Sequence, residues 1–404
     1  MPCGACTCMI RNERLRIISV LGVVEILAWG SSYYLLAVLA APIARDTGWS
    51  SASIMGGVSL GLLVSGVSAR KVGRLIQAEG GRRVMAVGML LLACGLALLG
   101  FATTLPLYFA AWCLVGMGMS AGLYDAAFSS LGHLYRTEAR SAITALTLWG
   151  GFASTVCWPI SALLVESYGW RATCLIYAGV HVLVTAPMCW FAVPGAQPVP
   201  VKAVPSAPRQ DGARNTFRLR FWCIAVAGTL LAMIATVWSV HLITILTAKG
   251  YALAAAVGLG TLIGPAQVGA RVLEMLGKGR HHPVWTMIAS TAFVLFGFAG
   301  LLTGIPAAVA LLAYGAGNGL WSIARGALPL AAFGAEDYPY MMGRLAMPML
   351  IAAAVAPLIG SVLMDRFGTQ GTLLALTLAS IIPCLAAAIL WLDLAKDWQR
   401  ASFE

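Results

Sequence analysis

The sequence predicts an all-α membrane protein with twelve transmembrane helices in two pseudo-symmetric six-helix bundles. Three observations support this prediction: a composition too apolar for water, twelve long apolar runs, and basic residues that gather on one side of those runs. Of the 404 residues, 60% are hydrophobic and 10% are charged. A soluble chain carries about 25% charged residues, so a soluble globular domain is excluded.

Twelve apolar runs follow one another along the chain, separated by Gly, Pro or charged residues. Each run can cross the roughly 30 Å hydrocarbon core of a bilayer as a helix. Transmembrane strands are not predicted, because the runs are continuous and do not alternate. The runs span residues 17–43, 50–70, 83–102, 106–130, 140–165, 171–193, 219–247, 251–273, 284–304, 306–333, 342–364 and 371–393.

A polar segment divides the twelve runs into two groups of six. It reads PGAQPVPVKAVPSAPRQDGARN over residues 194–215, a composition typical of a flexible linker. The sequence therefore predicts five parts. They are an N-terminal tail over 1–16, a bundle over 17–193, a linker over 194–218, a second bundle over 219–393 and a C-terminal tail over 394–404.

The distribution of basic residues orients the helices. With a cytoplasmic N-terminus, 21 of the 26 Lys and Arg residues fall in cytoplasmic segments, as the positive-inside rule expects. This distribution explains the net charge of +11 by a membrane, so no nucleic-acid partner is predicted. We expect a multi-pass protein of the bacterial inner membrane with both termini in the cytoplasm.

The two halves of the chain resemble each other at an offset of about 198 residues. Their shared order is harder to ascribe to chance than any single match, and internal repeats are typical of transporters. The matching pairs include Gly116 and Gly315, Gly118 and Gly317, Pro159 and Pro357, and Gly169 and Gly368.

Two six-helix halves, a polar linker and parallel repeats make the whole chain resemble the major facilitator superfamily. The superfamily's loop after the second helix reads roughly Gly-x-x-x-Asp-Arg-x-Gly-Arg-Arg, and residues 73–83 read GRLIQAEGGRR. The resemblance implies a gating role for Gly73, Gly80, Arg82 and Arg83. Gln77 stands where the aspartate belongs, so the charge relay of that loop is not carried over.

The internal repeat extends the gating prediction to the second half. The segment that closes the eighth run corresponds to the loop after the second run, and it contains Arg271 and Glu274. We expect these two residues to form an ion pair at an inner gate rather than to contact substrate.

Four ionisable residues lie at bilayer depth: Glu25, Asp125, His241 and Arg325. Such a residue costs about 2.5 to 3.5 kcal/mol on insertion scales and usually marks a functional site. They fall in the first, fourth, seventh and tenth runs, which the resemblance implies line a central cavity. Two alternatives stay open: an acid that pairs with Arg325 only to hold the halves together, and a His241 that is an interior histidine.

Aromatic and polar residues accompany these four at helical spacing, so they share helix faces with them. A set of this kind is suited to a small polar solute. The predicted substrate ligands are Trp29, Ser32, Tyr33, Tyr124, Trp238, His241, Asn318, Trp321 and Arg325.

The mechanism predicted from these residues is alternating access driven by an ion gradient. No nucleotide-binding loop, zinc-ligand spacing or nucleophile elbow is present in the sequence, so neither an enzyme nor a cofactor is expected. A buried carboxyl can take up a proton on one side and release it on the other, which makes Glu25 and Asp125 the proton-site candidates. Arg325 is suited to a carboxylate or oxyanion.

The leading hypothesis is therefore a proton-coupled transporter of a small, monocarboxylate-like organic anion that works as a monomer in the lipid bilayer. An alternative is efflux of an amphiphilic drug or of trivalent arsenic, because Cys3, Cys6 and Cys8 form a thiol cluster suited to a soft metal. A non-transporting membrane sensor is the alternative from another class.

Overall fold

The fold is all-helical throughout the part of the chain that this computed structural model describes. That part comprises residues 4–195, 211–277 and 280–401, and its side chains are described over 13–136, 138–195, 215–277 and 280–397. The α-helices are α1 Gly4–Ser31, α2 Leu36–Thr47, α3 Ser51–Glu79, α4 Gly81–Gly100, α5 Leu105–Gly122, α6 Tyr124–Tyr135, α7 Ala139–Gly151, α8 Ala153–Val180, α9 Ala186–Ala192, α10 Asp211–Ala248, α11 Leu253–Gly260, α12 Ile263–Leu276, α13 Pro283–Thr303 and α14 Ala307–Ala401. A 3-10 turn at Arg136–Glu138 precedes α7, and a π-helical turn at His181–Thr185 joins α8 to α9.

Within the described residues, nine helical runs are long and apolar enough to cross a membrane. Each of the twelve predicted apolar runs overlaps one of them, which confirms the all-α prediction, but the helices are not twelve separate bodies. Two long runs continue through tight turns at Gly169, Gly334 and Gly368. When these two runs are divided at the three glycines, the nine helical runs become twelve segments. Each segment then corresponds to one predicted apolar run.

Gly169 and Gly368 adopt nearly the same unusual backbone conformation. Gly169 has φ 80° and ψ 167°, and Gly368 has φ 65° and ψ −172°. Positive φ with extended ψ is almost confined to glycine, because a Cβ atom would clash with the backbone. The sequence pairs these two residues in the internal repeat, so the repeat extends to backbone geometry.

Close helix packing at small residues follows the same repeat. A Cβ atom at Gly116 would meet the backbone of Gly61, and one at Gly315 would meet the backbone of Ile263. Two residues further along, on another face of the helix, Gly118 packs on Leu92 and Gly317 packs on Val294. In each half, therefore, the fourth helix approaches the second and third helices at backbone distance, as membrane helices do at small residues.

The chain divides into two compact units. Unit 1 comprises Met1–Val201 and Ala335–Met347, and unit 2 comprises Lys202–Gly334 and Pro348–Glu404. The first boundary falls inside the predicted linker, whereas the assignment of Ala335–Met347 to unit 1 has no counterpart in the predicted domains. The outer faces of both units carry strongly exposed apolar side chains, such as Leu163 and Leu358, which suits a lipid environment.

Candidate functional site

The predicted site residues of unit 1 lie at two breaks in its helices. Helix α1 ends at Ser31, and the chain turns over residues 32–35 before α2 begins. Helix α5 ends at Gly122, Leu123 is extended with φ −93° and ψ −173°, and α6 begins at Tyr124. Discontinuous helices of this kind form substrate and ion sites in transporters, because their ends expose backbone polar groups.

The carboxyl group of Glu25 is withdrawn from water. Its residue has an exposed fraction of 0%, and the indole Nε1 of Trp29 donates a hydrogen bond of 3.0 Å to Oε2. Among the described residues, Oε1 has no hydrogen-bond partner. An ionised carboxylate offers about four acceptor positions, so this environment solvates a negative charge poorly.

Asp125 lies in the first turn of α6, where the helix dipole favours an acidic side chain. The residue is partly exposed, and its backbone carbonyl accepts a hydrogen bond of 2.6 Å from Ser129 Oγ. The carboxyl groups of Glu25 and Asp125 are close enough for their charges to interact. The structure thus brings together the two predicted proton-site residues within unit 1.

An aromatic cluster surrounds the break between α1 and α2. The Trp29 ring centroid lies 5.4 Å from that of Tyr33, 6.0 Å from that of Tyr34 and 5.3 Å from that of Tyr124. Two neighbours of this cluster were not predicted from the sequence. Phe128 stacks on Tyr124 at 5.0 Å, and the centroid of Trp158 lies 6.0 Å from that of Tyr34. The position of Trp158 directly before Pro159, which lies within α8, is the signal that could have pointed to it.

Two other polar side chains of unit 1, those of Ser32 and His181, are satisfied by contacts within that unit. Ser32 is fully buried and its hydroxyl donates to the carbonyl of Ala28 at 2.5 Å, so this predicted ligand is engaged by its own chain. His181 is buried between two hydroxyls, with Nε2 2.7 Å from Ser31 Oγ and Nδ1 2.8 Å from Thr185 Oγ1. His181 is therefore an interior histidine whose two ring nitrogens are both engaged within unit 1.

The predicted gating residues lie at the end of α3 and the start of α4. Gly73 is in backbone contact with Pro339 and Gly343, and the Gln77 side chain donates a hydrogen bond of 3.0 Å to the carbonyl of Glu336. The segment Ala335–Met347 is thereby held to α3 within unit 1. Gln77 does this as a neutral donor, where an aspartate would be an acceptor only.

The remaining residues of this loop have separate environments. Gly80 adopts φ 77° and ψ 173° between α3 and α4, a conformation that favours glycine. Arg82 stacks its guanidinium over the ring of Trp190, at 4.8 Å from the centroid, while Arg83 is exposed.

In unit 2, Trp238 lies in the bundle interior. Its exposed fraction is 1%, and it packs edge-on against Phe298 and Tyr314 at centroid distances of 5.1 Å and 5.9 Å. His241, one turn further along α10, is partly exposed and its ring lies against Gly360. Of these two predicted ligands, His241 is therefore the more accessible.

Asn318, Trp321 and Arg325 share one side of α14, which is continuous until Gly334, as their spacing predicts. Asn318 and Arg325 are partly exposed, whereas Trp321 is buried close to Gly228. A second guanidinium, that of Arg271, lies beside this part of α14. Its Nε is 3.5 Å from the carbonyl oxygen of Gly319, and the residue has an exposed fraction of 6%.

Glu274 connects the end of α12 to the start of α13. Its Oε1 accepts a hydrogen bond of 2.7 Å from Thr286 Oγ1 and lies 3.0 Å from Nε2 of His281. These contacts give the carboxylate a structural role at the junction of the two helices, beside the gating role that the sequence predicts.

The thiol cluster of Cys3, Cys6 and Cys8 lies outside the described side chains. In the part of the chain whose side chains are described, no group of three or more His, Cys, Asp or Glu residues could hold a metal ion. The hypothesis of a metal at these thiols stays a prediction.

The comparison with protein families decides the broad class of the protein. The sequence model of the Major Facilitator Superfamily matches residues 21–321. The chain belongs to the major facilitator superfamily. As a member of this superfamily, it is a secondary transporter and a multi-pass integral membrane protein. No curated protein matches its sequence closely enough to add a substrate.

Solved structures of superfamily members share the fold over nearly the whole chain. The human organic anion transporter MFSD10 is 14% identical with a TM-score of 0.69, and the alignment covers 93% of this chain and 99% of that one. The Escherichia coli fucose:proton symporter FucP is 13% identical with a TM-score of 0.67, covering 93% and 97%. The proton:xylose symporter XylE is 14% identical with a TM-score of 0.66, covering 94% and 96%.

Proposed function

We propose that this superfamily member is a proton-coupled transporter of a small organic anion. The observation that carries the proposal is the environment of Glu25, a fully buried carboxyl with one hydrogen bond from Trp29 beside a break in its helix. Two of the similar structures are described as proton symporters and one as an organic anion transporter, which agrees with both halves of the proposal.

The coupling step uses the poor solvation of the Glu25 carboxylate. Protonation removes a charge that its surroundings cannot stabilise, while Asp125 nearby adds repulsion that protonation also relieves. Loading and release of this proton would therefore change the relative free energies of the two access states. Such a change is what a coupling site must produce.

The anion is assigned to Arg325. Its guanidinium stays charged throughout the cycle and offers paired donors that match a carboxylate. Asn318 lies two turns before it on the same side of α14 and can donate a further hydrogen bond. We assign substrate recognition in unit 2 to these two residues and to the partly exposed His241.

The aromatic cluster of Trp29, Tyr33, Tyr34, Tyr124 and Trp158 favours a second candidate. Aromatic faces beside carboxylates attract organic cations, so efflux of an amphiphilic cation is the alternative. Arg325 weighs against it, because a guanidinium recognises anions and repels a cationic substrate.

The remaining assignments belong to the same proposal. We place both termini in the cytoplasm and the protein in a bacterial inner membrane, because of the basic residues between the helices. The bundles over 17–193 and 219–393 are the two parts that move against each other in alternating access. The functional unit is a monomer, because one chain provides a full set of predicted ligands.

The proposal is tested by flux into proteoliposomes with an imposed pH gradient, using pooled organic acids, amphiphilic cations and arsenite. An acid-driven accumulation of an organic anion is expected. Glu25→Gln should reduce uphill accumulation by about tenfold or more, equivalent to at least about 1.4 kcal/mol, yet still exchange labelled for unlabelled substrate. Glu166→Gln, at an exposed carboxyl, is the matched control.

Two results would contradict the proposal. If Glu25→Gln accumulated substrate as well as the unmodified protein, the proton assignment would fail. If the protein transported only cations, in exchange for protons, efflux of an amphiphilic cation would replace anion transport as the function.

A further inference from the structure

A groove of about 420 Å³ runs along the outside of unit 1. Arg16 lines it from α1, and the rest of its lining comes from the π-helical turn and α9. Those residues are Leu183, Val184, Pro187, Met188, Phe191 and Ala192. We propose that this groove binds one anionic phospholipid, with the lipid phosphate on Arg16 and an acyl chain along the apolar stripe.

The apolar part of the groove forms one continuous stripe. Its residues follow one another at intervals of three or four or as adjacent pairs, so they lie on one side of the sixth apolar run, residues 171–193. From Leu183 to Ala192 the stripe is about 14 Å long at 1.5 Å per residue. Leu183 and Phe191 are 77% and 80% exposed, so the stripe is open along its length.

Arg16 lies at one end of this stripe. Ser31 contacts His181, near the middle of the sixth run, while Glu25 lies near Cys189, further along it, so α1 and this run are antiparallel. Arg16 precedes Ser31 by fifteen residues, which is about 22 Å of helix. The guanidinium is therefore placed level with the Ala192 end, as a headgroup ligand would be.

The charge at this end is uncompensated by described protein groups. Arg16 is exposed and makes no hydrogen bond or ion pair with any residue whose side chain the structure describes. A second arginine, Arg82, stacks on Trp190, next to Phe191 in α9. Cations and an interfacial aromatic at one end of an apolar stripe match the two parts of an anionic lipid.

The test is native mass spectrometry of the full-length protein in detergent, titrated with phosphatidylglycerol, phosphatidylcholine or inorganic phosphate. Retention of one phosphatidylglycerol in preference to phosphatidylcholine is expected. Arg16→Gln should weaken it by about fivefold, the effect of one basic side chain beside an anionic surface. Arg45→Gln, which removes an exposed arginine elsewhere in unit 1, should leave retention unchanged.

A second pair of variants tests the acyl-chain part of the groove. Leu183→Trp should obstruct the stripe and reduce retention, whereas Leu163→Trp, at a residue that is 65% exposed outside the groove, should not. Equal retention of both lipids, or no effect of Arg16→Gln, would overturn the proposal. Retention of inorganic phosphate as strong as that of phosphatidylglycerol would also overturn it, because the site would then bind free anions.

Discussion

Trp29 connects the two chemical features of unit 1. Its indole nitrogen donates to the buried Glu25 carboxyl, and its ring contacts Tyr33, Tyr34 and Tyr124. A solute that moves this ring would also move the hydrogen bond to the carboxyl. Such a residue can couple substrate occupancy to protonation, which is what the proposed mechanism needs.

At the residue scale, the anion assignment predicts a graded response at Arg325. Arg325→Gln removes a charged hydrogen bond worth about 1.5 to 3 kcal/mol, so the half-saturating concentration should rise by about ten- to a hundredfold. Arg325→Lys should lie between, because it keeps the charge but loses the paired donors. Transport is measured in proteoliposomes across a range of anion concentrations.

The control for this series is Arg366→Gln, which removes an exposed arginine of the same unit. Its half-saturating concentration should equal that of the unmodified protein. An unchanged value for Arg325→Gln would remove the guanidinium from the binding site.

At the residue scale, the ionisable residues of the site could be predicted from the sequence, but the exposure of their neighbours could not. The burial cost of charge made Glu25, Asp125, His241 and Arg325 recognisable from their depth in apolar runs. Ser32 and Trp238 share helical spacing with them, but their side chains are buried within their units. Periodicity defines a helix face, whereas the neighbours that cover that face come from distant parts of the chain.

At the element scale, the repeated glycines set how closely helices approach. A Cβ atom at Gly118 would lie 2.7 Å from the backbone nitrogen of Leu92, and one at Gly317 would lie 2.7 Å from the carbonyl oxygen of Ser290. Backbone cannot move aside as a flexible side chain can. The same substitution should therefore have the same effect in both halves.

Gly118→Ala and Gly317→Ala are each predicted to lower the free energy of unfolding by about 1 to 3 kcal/mol through overpacking. Thermal unfolding in detergent measures this as a lower midpoint temperature. Gly179→Ala is the matched control, since nothing lies within 4 Å of its added Cβ atom. Alanine there should stabilise the helix by about 0.5 to 1 kcal/mol, and a loss like that at Gly118 would contradict the packing explanation.

The breaks in α1–α2 and α5–α6 were beyond sequence reasoning. The first and fourth apolar runs contain no proline at these points and stay apolar on both sides of them, so hydropathy predicts continuous helices. Asp125, two residues after the second break, is the single charge close to either break. Leu123 has no local signal for its extended backbone. The breaks depend on packing by neighbouring helices, such as the contact between Tyr124 and Gly150.

At the scale of the whole molecule, the distribution of basic residues predicts orientation. A fluorescent reporter that folds only in the cytoplasm should be active when fused after Glu404, because the basic segments are held on that side. A reporter fused after Gly48, between the first two spans, should be inactive in the same cells. Activity of a periplasmic reporter at the C-terminus would reverse the orientation.

The sequence by itself determined the helical class, the apolar spans, the repeat and the superfamily resemblance. These depend on composition and period, which act locally along the chain. Only the tertiary structure decided which polar groups are satisfied, where helices break, that Trp158 joins the aromatic cluster, and that Ala335–Met347 belongs with unit 1. Each of these depends on contacts between residues far apart in sequence, and burial and hydrogen bonding are properties of those contacts.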